Sequence, residues 1–286
     1  MITIPETLED AVVNILRLAN TKLPQDVGWA LEAAASWETN EIAYSQLGSI
    51  MDNAKKAEFM GRPMCQDTGI PVFYVTGKMI PGLEEGIRNG LRKATETIPL
   101  RPNTVHPITR KDQGGNLGKG MPIIHYRPTD DDFTDITVIP KGAGSENMTR
   151  LAMLDPADGI AGIKRFVVTS VLEAGGRPCP PTVVGVGIGG TADRCVELSK
   201  EALLAPADFV NNEKDEREIE EELFTILNSS GLGPMGLGGD STVLRVHVRT
   251  ECCHTASLPV AVNISCWASR RATVRIKKDG TTEYRQ

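Results

Sequence analysis

Cys65, Cys179 and Cys266 lie far apart in a chain of 286 residues, and each stands in a stretch that reads as a loop or a strand end. Their neighbours are Met64-Cys65-Gln66-Asp67-Thr68-Gly69, Pro178-Cys179-Pro180-Pro181 and Asn263-Ile264-Ser265-Cys266-Trp267. Thiols at such positions can converge from distant parts of a chain as a ligand set. Three thiolates holding a four-iron cluster leave one iron open, and an open iron polarises a substrate oxygen as a Lewis acid. Taken singly, each cysteine also reads as a small buried hydrophobe. The competitors are Cys195, inside a predicted helix where a thiol packs, and the adjacent pair Cys252 and Cys253. With His254 that pair resembles half a zinc site, but structural zinc takes spaced pairs such as Cys-x2-Cys and no complementary pair exists.

Other polar groups fall close to these cysteines in sequence. Gln66 and Asp67 follow Cys65 directly, and a carboxylate buried there needs hydrogen bonds or a role in chemistry. His254 precedes Cys266 by a short interval, which suggests a loop near the same site; a lone histidine is otherwise a hydrogen-bonded structural group. Lys141 to Asn147 carries Gly142 and Gly144 and is able to fold as a nest of backbone N–H groups for an anion, or as a tight surface turn. Gly231 to Asp240 has similar abilities and no assigned ligand. Gly185-Val186-Gly187-Ile188-Gly189-Gly190 satisfies the dinucleotide pattern between a strand and a helix. A second strand ending in an acidic residue should follow; instead Ala205-Pro206-Ala207-Asp208 leads into a charged helix. These glycines therefore read as strand-to-helix packing and turn residues, and an NAD-binding oxidoreductase is the alternative they leave.

The elements that must position these groups follow from periodicity. Helices are expected over 6–20, 24–37 and 41–60, with Asn40 as a cap, and Gly61-Arg62-Pro63 ends the run so that Cys65 lies in a loop. A buried strand is expected over 70–75, a helix over 81–97, and a long polar loop over 99–120 that is functional or disordered. Ile123–Tyr126 and Phe133–Ile139 read as a strand pair across an acidic turn, the second strand delivering the glycine loop. Asp155-Pro156 opens a helix that stops at Gly175-Gly176. A strand over 182–188, helices over 191–204 and 212–227, and strands over 242–251, 258–265 and 272–277 complete the chain, with a hairpin signal at Asp279-Gly280. The glutamates of 213–222 read as a solvated helix face. The economical architecture is one mixed α/β domain over 1–286, a helical part over 5–60 packed with a mixed sheet in 61–286, without repeat or linker.

Composition narrows the function. Forty per cent hydrophobic and 24% charged residues suit a globular protein, and a net charge of −6 gives no electrostatic footprint for nucleic acid or anionic membrane. No apolar run approaches the roughly 20 residues that span a bilayer. Glu6, Glu9 and Asp10 occupy the place of a signal peptide's basic start and apolar centre, so a cytoplasmic location is expected. There six cysteines are thiols or ligands rather than disulfides.

Cys65-Gln66-Asp67-Thr68-Gly69, Lys141-Gly142-Ala143-Gly144-Ser145-Glu146-Asn147 and His254-Thr255-Ala256-Ser257-Leu258-Pro259 resemble the class I, iron-sulfur fumarate hydratases and L-tartrate dehydratases, more closely their α subunit. The resemblance runs from about residue 5 to residue 275. It implies the fold of the class I fumarase N-terminal domain and a [4Fe-4S] cluster on Cys65, Cys179 and Cys266. It also implies substrate contacts from Gln66, Asp67, Arg101 and Gly144, and a role for His254 in binding the dicarboxylate or in proton transfer, with Asp67 taking part in the chemistry. An arginine fork suits a planar carboxylate, and Arg110 is the alternative to Arg101. The implied activity is reversible hydration of fumarate to L-malate, with L-tartrate or another dicarboxylate as the nearer alternative. Longer members continue into a second domain that supplies further carboxylate-binding residues. A separate β subunit is therefore expected in an α2β2 assembly with an α–α contact.

Overall fold

The computed structural model describes residues 7–286, so the expected helix start at Glu6 lies outside the described residues. The chain divides into two compact units. One comprises Met1–Pro24, Asn53–Gly142 and Arg270–Gln286; the other comprises Gln25–Asp52 and Ala143–Ser269. Each is α/β and each has its own sheet. Among the described residues no helix is long and apolar enough to cross a membrane.

The first unit is built on a five-stranded mixed sheet. In chain order it contributes α1 (Leu8–Thr21), β1 (Ile70–Gly77), α4 (Leu83–Thr97), β2 (Ile123–Pro128), β3 (Phe133–Lys141), β8 (Ala272–Lys277) and β9 (Thr282–Arg285). The sheet order is β2-β1-β3-β8-β9. Thr7 caps α1 by accepting the Asp10 N–H. Apolar residues at helical spacing, Val12, Ile15 and Leu16 from α1 with Ile87 and Leu91 from α4, share a core with Phe73, Val75, Ile136, Val138 and Val274 of the sheet. Gly90 permits the helix pairing, since a Cβ there would stand 2.6 Å from Cβ of Val12.

The expected strand pair of 123–126 and 133–139 does not form. β1 lies between the two, parallel to β2 and antiparallel to β3. Burial explains the order: β1 is buried along most of its length and takes a central place, whereas β2 ends in exposed residues suited to an edge. The hairpin signal at Asp279-Gly280 does join two antiparallel strands, β8 and β9, with Gly280 at φ +82.

The second unit carries α2 (Gln25–Trp37), α5 (Ala143–Glu146), β4 (Arg150–Leu154), α6 (Gly159–Ala174), β5 (Thr182–Gly189), α7 (Ala192–Ala202), α8 (Lys214–Asn228), β6 (Val243–Glu251) and β7 (Leu258–Ser265). The division between units falls within α3 (Glu41–Met60), whose first residues Asn40 caps through its Oδ1. The sheet order is β4-β7-β5-β6, with β5 and β6 parallel. Val184, Val186 and Ile188 of β5 join a core with Ile163 and Val167 of α6 and Leu223 and Leu227 of α8. Strand alternation turns Gly185 and Gly187 to the opposite face, where a Cβ on either would overlap the α7 backbone carbonyls of Ser199 and Cys195. Gly185 and Gly187 thus form a strand surface on which a helix packs, while Gly189 and Gly190, both at positive φ, turn the chain out of β5.

Three further differences have physical causes. β4 was not expected, because Arg-Leu-Ala-Met-Leu carries no β-branched residue; the edge of β7 imposes the strand. Sequence suggested one sheet, and there are two. Finally, α8 is not wholly a solvated face. Glu216 and Glu220 turn to the edge strand β6 and accept N–H groups from Thr250 and Val248, satisfying donors that an edge leaves exposed.

Candidate active site

In the first unit the candidate residues gather around the loop after α3. The Met64 N–H donates to the Asn20 carbonyl and its own carbonyl accepts from the Asn53 amide, so the backbone just before Cys65 is fixed on both sides. Cys65 is half-buried and its thiol lies 3.6 Å from Gln66 Oε1. Asp67 Oδ1 accepts the Gly69 N–H at 2.9 Å and the Asn103 amide at 3.3 Å. Asp67 Oδ2 lies toward Gly142, where an added Cβ would stand 3.3 Å away. The N–H of Arg101 donates to Thr68 Oγ1 at 3.0 Å, which places this exposed arginine beside the Gln66–Asp67 pair.

The polar stretch over 99–120 is ordered by its own hydrogen bonds. Thr104, His106 and Gln113 bond across it, and buried Asn116 accepts the Asn103 N–H while donating to Thr95. Arg110 sits at the exposed turn of this excursion, φ +59, bonded back to the His106 carbonyl. Arg101 belongs to the Asp67 neighbourhood and Arg110 to the tip.

In the second unit three segments come to one end of the four-stranded sheet. β5 begins just after Cys179, and β7, antiparallel to it, ends just before Cys266. The Trp267 N–H donates to the Cys179 carbonyl at 3.1 Å, joining the two cysteine segments directly. Gly144 in α5 reaches the same end: a Cβ there would stand 2.9 Å from the Arg177 carbonyl. Neither Gly142 nor Gly144 takes positive φ, so the 141–147 segment forms one helical turn and not a nest. Gly144 serves close backbone approach, and Gly142 leaves room beside the Asp67 side chain.

Cys179 is exposed and holds φ +55, a left-handed conformation that costs a non-glycine residue about 1–2 kcal/mol. Backbone outliers of this kind cluster at functional sites. The surroundings over-determine it. Met235, also left-handed, donates its N–H to the Pro180 carbonyl at 2.8 Å. Gly236 lies so close to Gly176 that a Cβ would be 2.7 Å from its Cα. The end of the 231–240 loop is tied to an anion from the residue after α2: the N–H groups of Asp240 and Ser241 donate to the Glu38 carboxylate. Cys266 is the one half-exposed residue in an otherwise buried run from 259 to 272.

His254 is elsewhere. β7 fills the interval between His254 and Cys266, and carries them to opposite ends of the sheet, roughly 25 Å apart by strand rise. The Cys252 carbonyl accepts from Gly190 at the far end of β5, and the loop closes on itself through Ser257 and Ala256. The Ala256 N–H donates to Nδ1, which leaves the proton of a neutral ring on Nε2.

Cys65, Cys179 and Cys266 are exposed or half-exposed at loops, which suits soft thiolate ligation; Cys252 and Cys253 are exposed too, but in the His254 loop at the other end of the sheet. Cys195 does not suit ligation: it is fully buried, it donates to the Gly187 carbonyl, and burial pushes its thiol up to about 11. Among the described residues no three His, Cys, Asp or Glu side chains gather around a single-ion position. Sequence reasoning passed over two features. Arg270, buried against the Asp67 carbonyl, was hidden in an Arg-Arg pair that reads as surface, and Met235 lay in a glycine loop without periodicity.

The sequence profile of the fumarate hydratase (Fumerase) family matches residues 9–275. A protein of Methanocaldococcus jannaschii, provisionally named L(+)-tartrate dehydratase subunit alpha, is 49% identical over 280 residues, covering 95% of this chain and 98% of that one. The L(+)-tartrate dehydratase subunit alpha of Escherichia coli K12 is 33% identical over 281 residues, 96% of this chain and 93% of its own. A provisionally named class I fumarate hydratase of Geobacillus stearothermophilus is 33% identical over 283 residues, 95% of this chain but 55% of the longer protein. The chain belongs to the fumarate hydratase (Fumerase) family of hydro-lyases.

Proposed function

We propose that this chain is the α subunit of a [4Fe-4S] hydro-lyase that reversibly hydrates fumarate to L-malate in the cytoplasm, with Cys65, Cys179 and Cys266 as cluster ligands. The observation that carries this reading is the meeting of Gly144, left-handed Cys179 and Cys266 at one end of one sheet. Cys65 stands in the other unit beside Asp67. In sequence a single residue, Ala143, lies between Gly142, against the Asp67 carboxylate, and Gly144, against the Arg177 carbonyl.

When bound, a cluster with one open iron supplies a Lewis acid for a substrate hydroxyl and carboxylate. The remaining work falls to side chains. The Arg101 fork takes a carboxylate in two parallel bonds. Gln66 offers an amide donor next to Cys65. Asp67 is oriented by Gly69 and Asn103, so that Oδ2 is directed toward Gly142 for proton transfer. Gly144 removes a side chain that would block approach. His254, at the far end of its own sheet, serves such a pocket only from a second α chain, with Nε2–H as donor to the dicarboxylate. That is the use we assign to an α–α contact in an α2β2 assembly.

The β subunit follows from the relatives: two carry the name subunit alpha, and this chain spans 55% of the longer Geobacillus protein. We assign the missing base to that subunit. A second reading, L-tartrate dehydration, is favoured by the names of the two α-subunit relatives. Anaerobic assay of the co-expressed α and β chains on fumarate, L-malate and L-tartrate separates them. Turnover of fumarate and L-malate above L-tartrate supports the first reading, and turnover of L-tartrate alone replaces it with the second. An active α chain without β refutes the subunit claim.

A further inference from the structure

Arg270 is 3% exposed, between Cys266 and β8. One terminal nitrogen donates to Asn20 Oδ1 at 3.4 Å. The other donates to the carbonyls of Asp67 at 3.1 Å and Pro140 at 3.5 Å. Its Nε–H is buried without a hydrogen-bond partner, and Arg270 enters no ion pair among the described residues. The position that a Cβ on Gly142 would fill lies 3.8 Å from this guanidinium and 3.3 Å from Asp67 Oδ2.

A guanidinium cannot shed its proton, so burial keeps a full positive charge; its hydrogen bonds all go to neutral carbonyl oxygens, and the nearby Asp67 carboxylate makes no ion pair with it. Three neutral acceptors hold it, and they belong to α1, the Cys65–Gly69 loop and the strand end that leads to Gly142. The three anchors hold this cation near the Asp67 carboxylate without a hydrogen bond between the two side chains. A negative charge that arrives with a ligand is drawn to that cation.

We propose that Arg270 sets the preference of this site for a doubly charged substrate: its fixed positive charge, acting through space over Gly142, favours a dicarboxylate over a monocarboxylate. This rests on the hydro-lyase reading above. The test uses the assembled α and β chains and compares inhibition by succinate with inhibition by butyrate, alongside Tm.

In Arg270→Gln the succinate-to-butyrate preference should fall about tenfold, the order expected for one charge lost within roughly 10 Å at an effective dielectric near 20. Arg270→Lys, which keeps the charge and loses the fork, should retain most of the preference. Asn20→Asp, which places a carboxylate against the guanidinium, should lower it as Gln does. It keeps Arg270 in place, so the charge can be judged even if Arg270→Gln fails to fold. An unchanged preference in Asn20→Asp, or an equal loss in Lys and Gln that follows Tm, overturns the proposal. If the wild-type assembly turns over no diacid, the hydro-lyase reading fails first.

Discussion

Gly236→Ala tests whether the 231–240 loop holds the Cys179 segment. Gly236 sits at φ +73, and a methyl there would stand 2.7 Å from Gly176 Cα and 3.0 Å from Gly176 N. Both are backbone atoms just upstream of Cys179, so no rotamer relieves the overlap. Left-handed backbone costs about 1 kcal/mol and overpacking a further 1–3, about 2–4 in all. At roughly 2–4 °C per kcal/mol for a chain of this size, Tm should fall by about 5–15 °C. The strain falls on the Met235-to-Pro180 and Trp267-to-Cys179 bonds, so iron retention should drop more than stability does. Gly231→Ala is the control: it has the same handedness, φ +72, with nothing within 4 Å of the new methyl. It should lose about 1 kcal/mol and keep its iron. The assay is thermal melting by circular dichroism together with iron per chain after anaerobic reconstitution. If Gly236→Ala melts and binds iron as Gly231→Ala does, the loop does not position Cys179.

Burial pushes the Glu220 carboxyl up from the ordinary glutamate value of 4.5, although the Val248 N–H and the Asn211 amide oppose the shift. A raised folded value favours the protonated form. Its contribution to stability is therefore fully present below the ordinary glutamate range and is lost as pH rises through the raised value. Melting against pH should show that decline in the wild type and a shallower one in Glu220→Gln; parallel curves would contradict it. Arg101→Met should raise KM for the diacid about 10- to 100-fold, the weight of a lost charge-assisted pair. Arg110→Met should change it less than threefold by the same steady-state assay, and comparable effects would undo the assignment to Arg101.

How much of this was legible in the sequence depended on how local the cause is. Asn40, Asp155 and Gly280 act on their own turns, and their caps and hairpin were readable from neighbours. The placement of β1 between β2 and β3 depends on which strand can be buried on both faces, which no single segment states. His254 shows the same limit: nearness in sequence became distance in space because a full strand intervenes. Arg270 was invisible because its burial rests on acceptors from three separate segments. The glycine pattern at 185–190 was read by what it lacked, a following acidic strand, and α7 packed on Gly185 and Gly187 supplies the reason for the glycines.

Iron and acid-labile sulfide per α chain, measured anaerobically after reconstitution of the wild type and single Cys→Ser variants, bears most directly on a cluster held by three thiolates. The wild type should hold about four of each, in keeping with a cubane. Cys65→Ser, Cys179→Ser and Cys266→Ser should each lose most of both, while Cys195→Ser, whose sulfur is buried against the Gly187 carbonyl, should match the wild type. Retention of a full complement by any one of the first three, or its loss in Cys195→Ser alone, would contradict the ligand set.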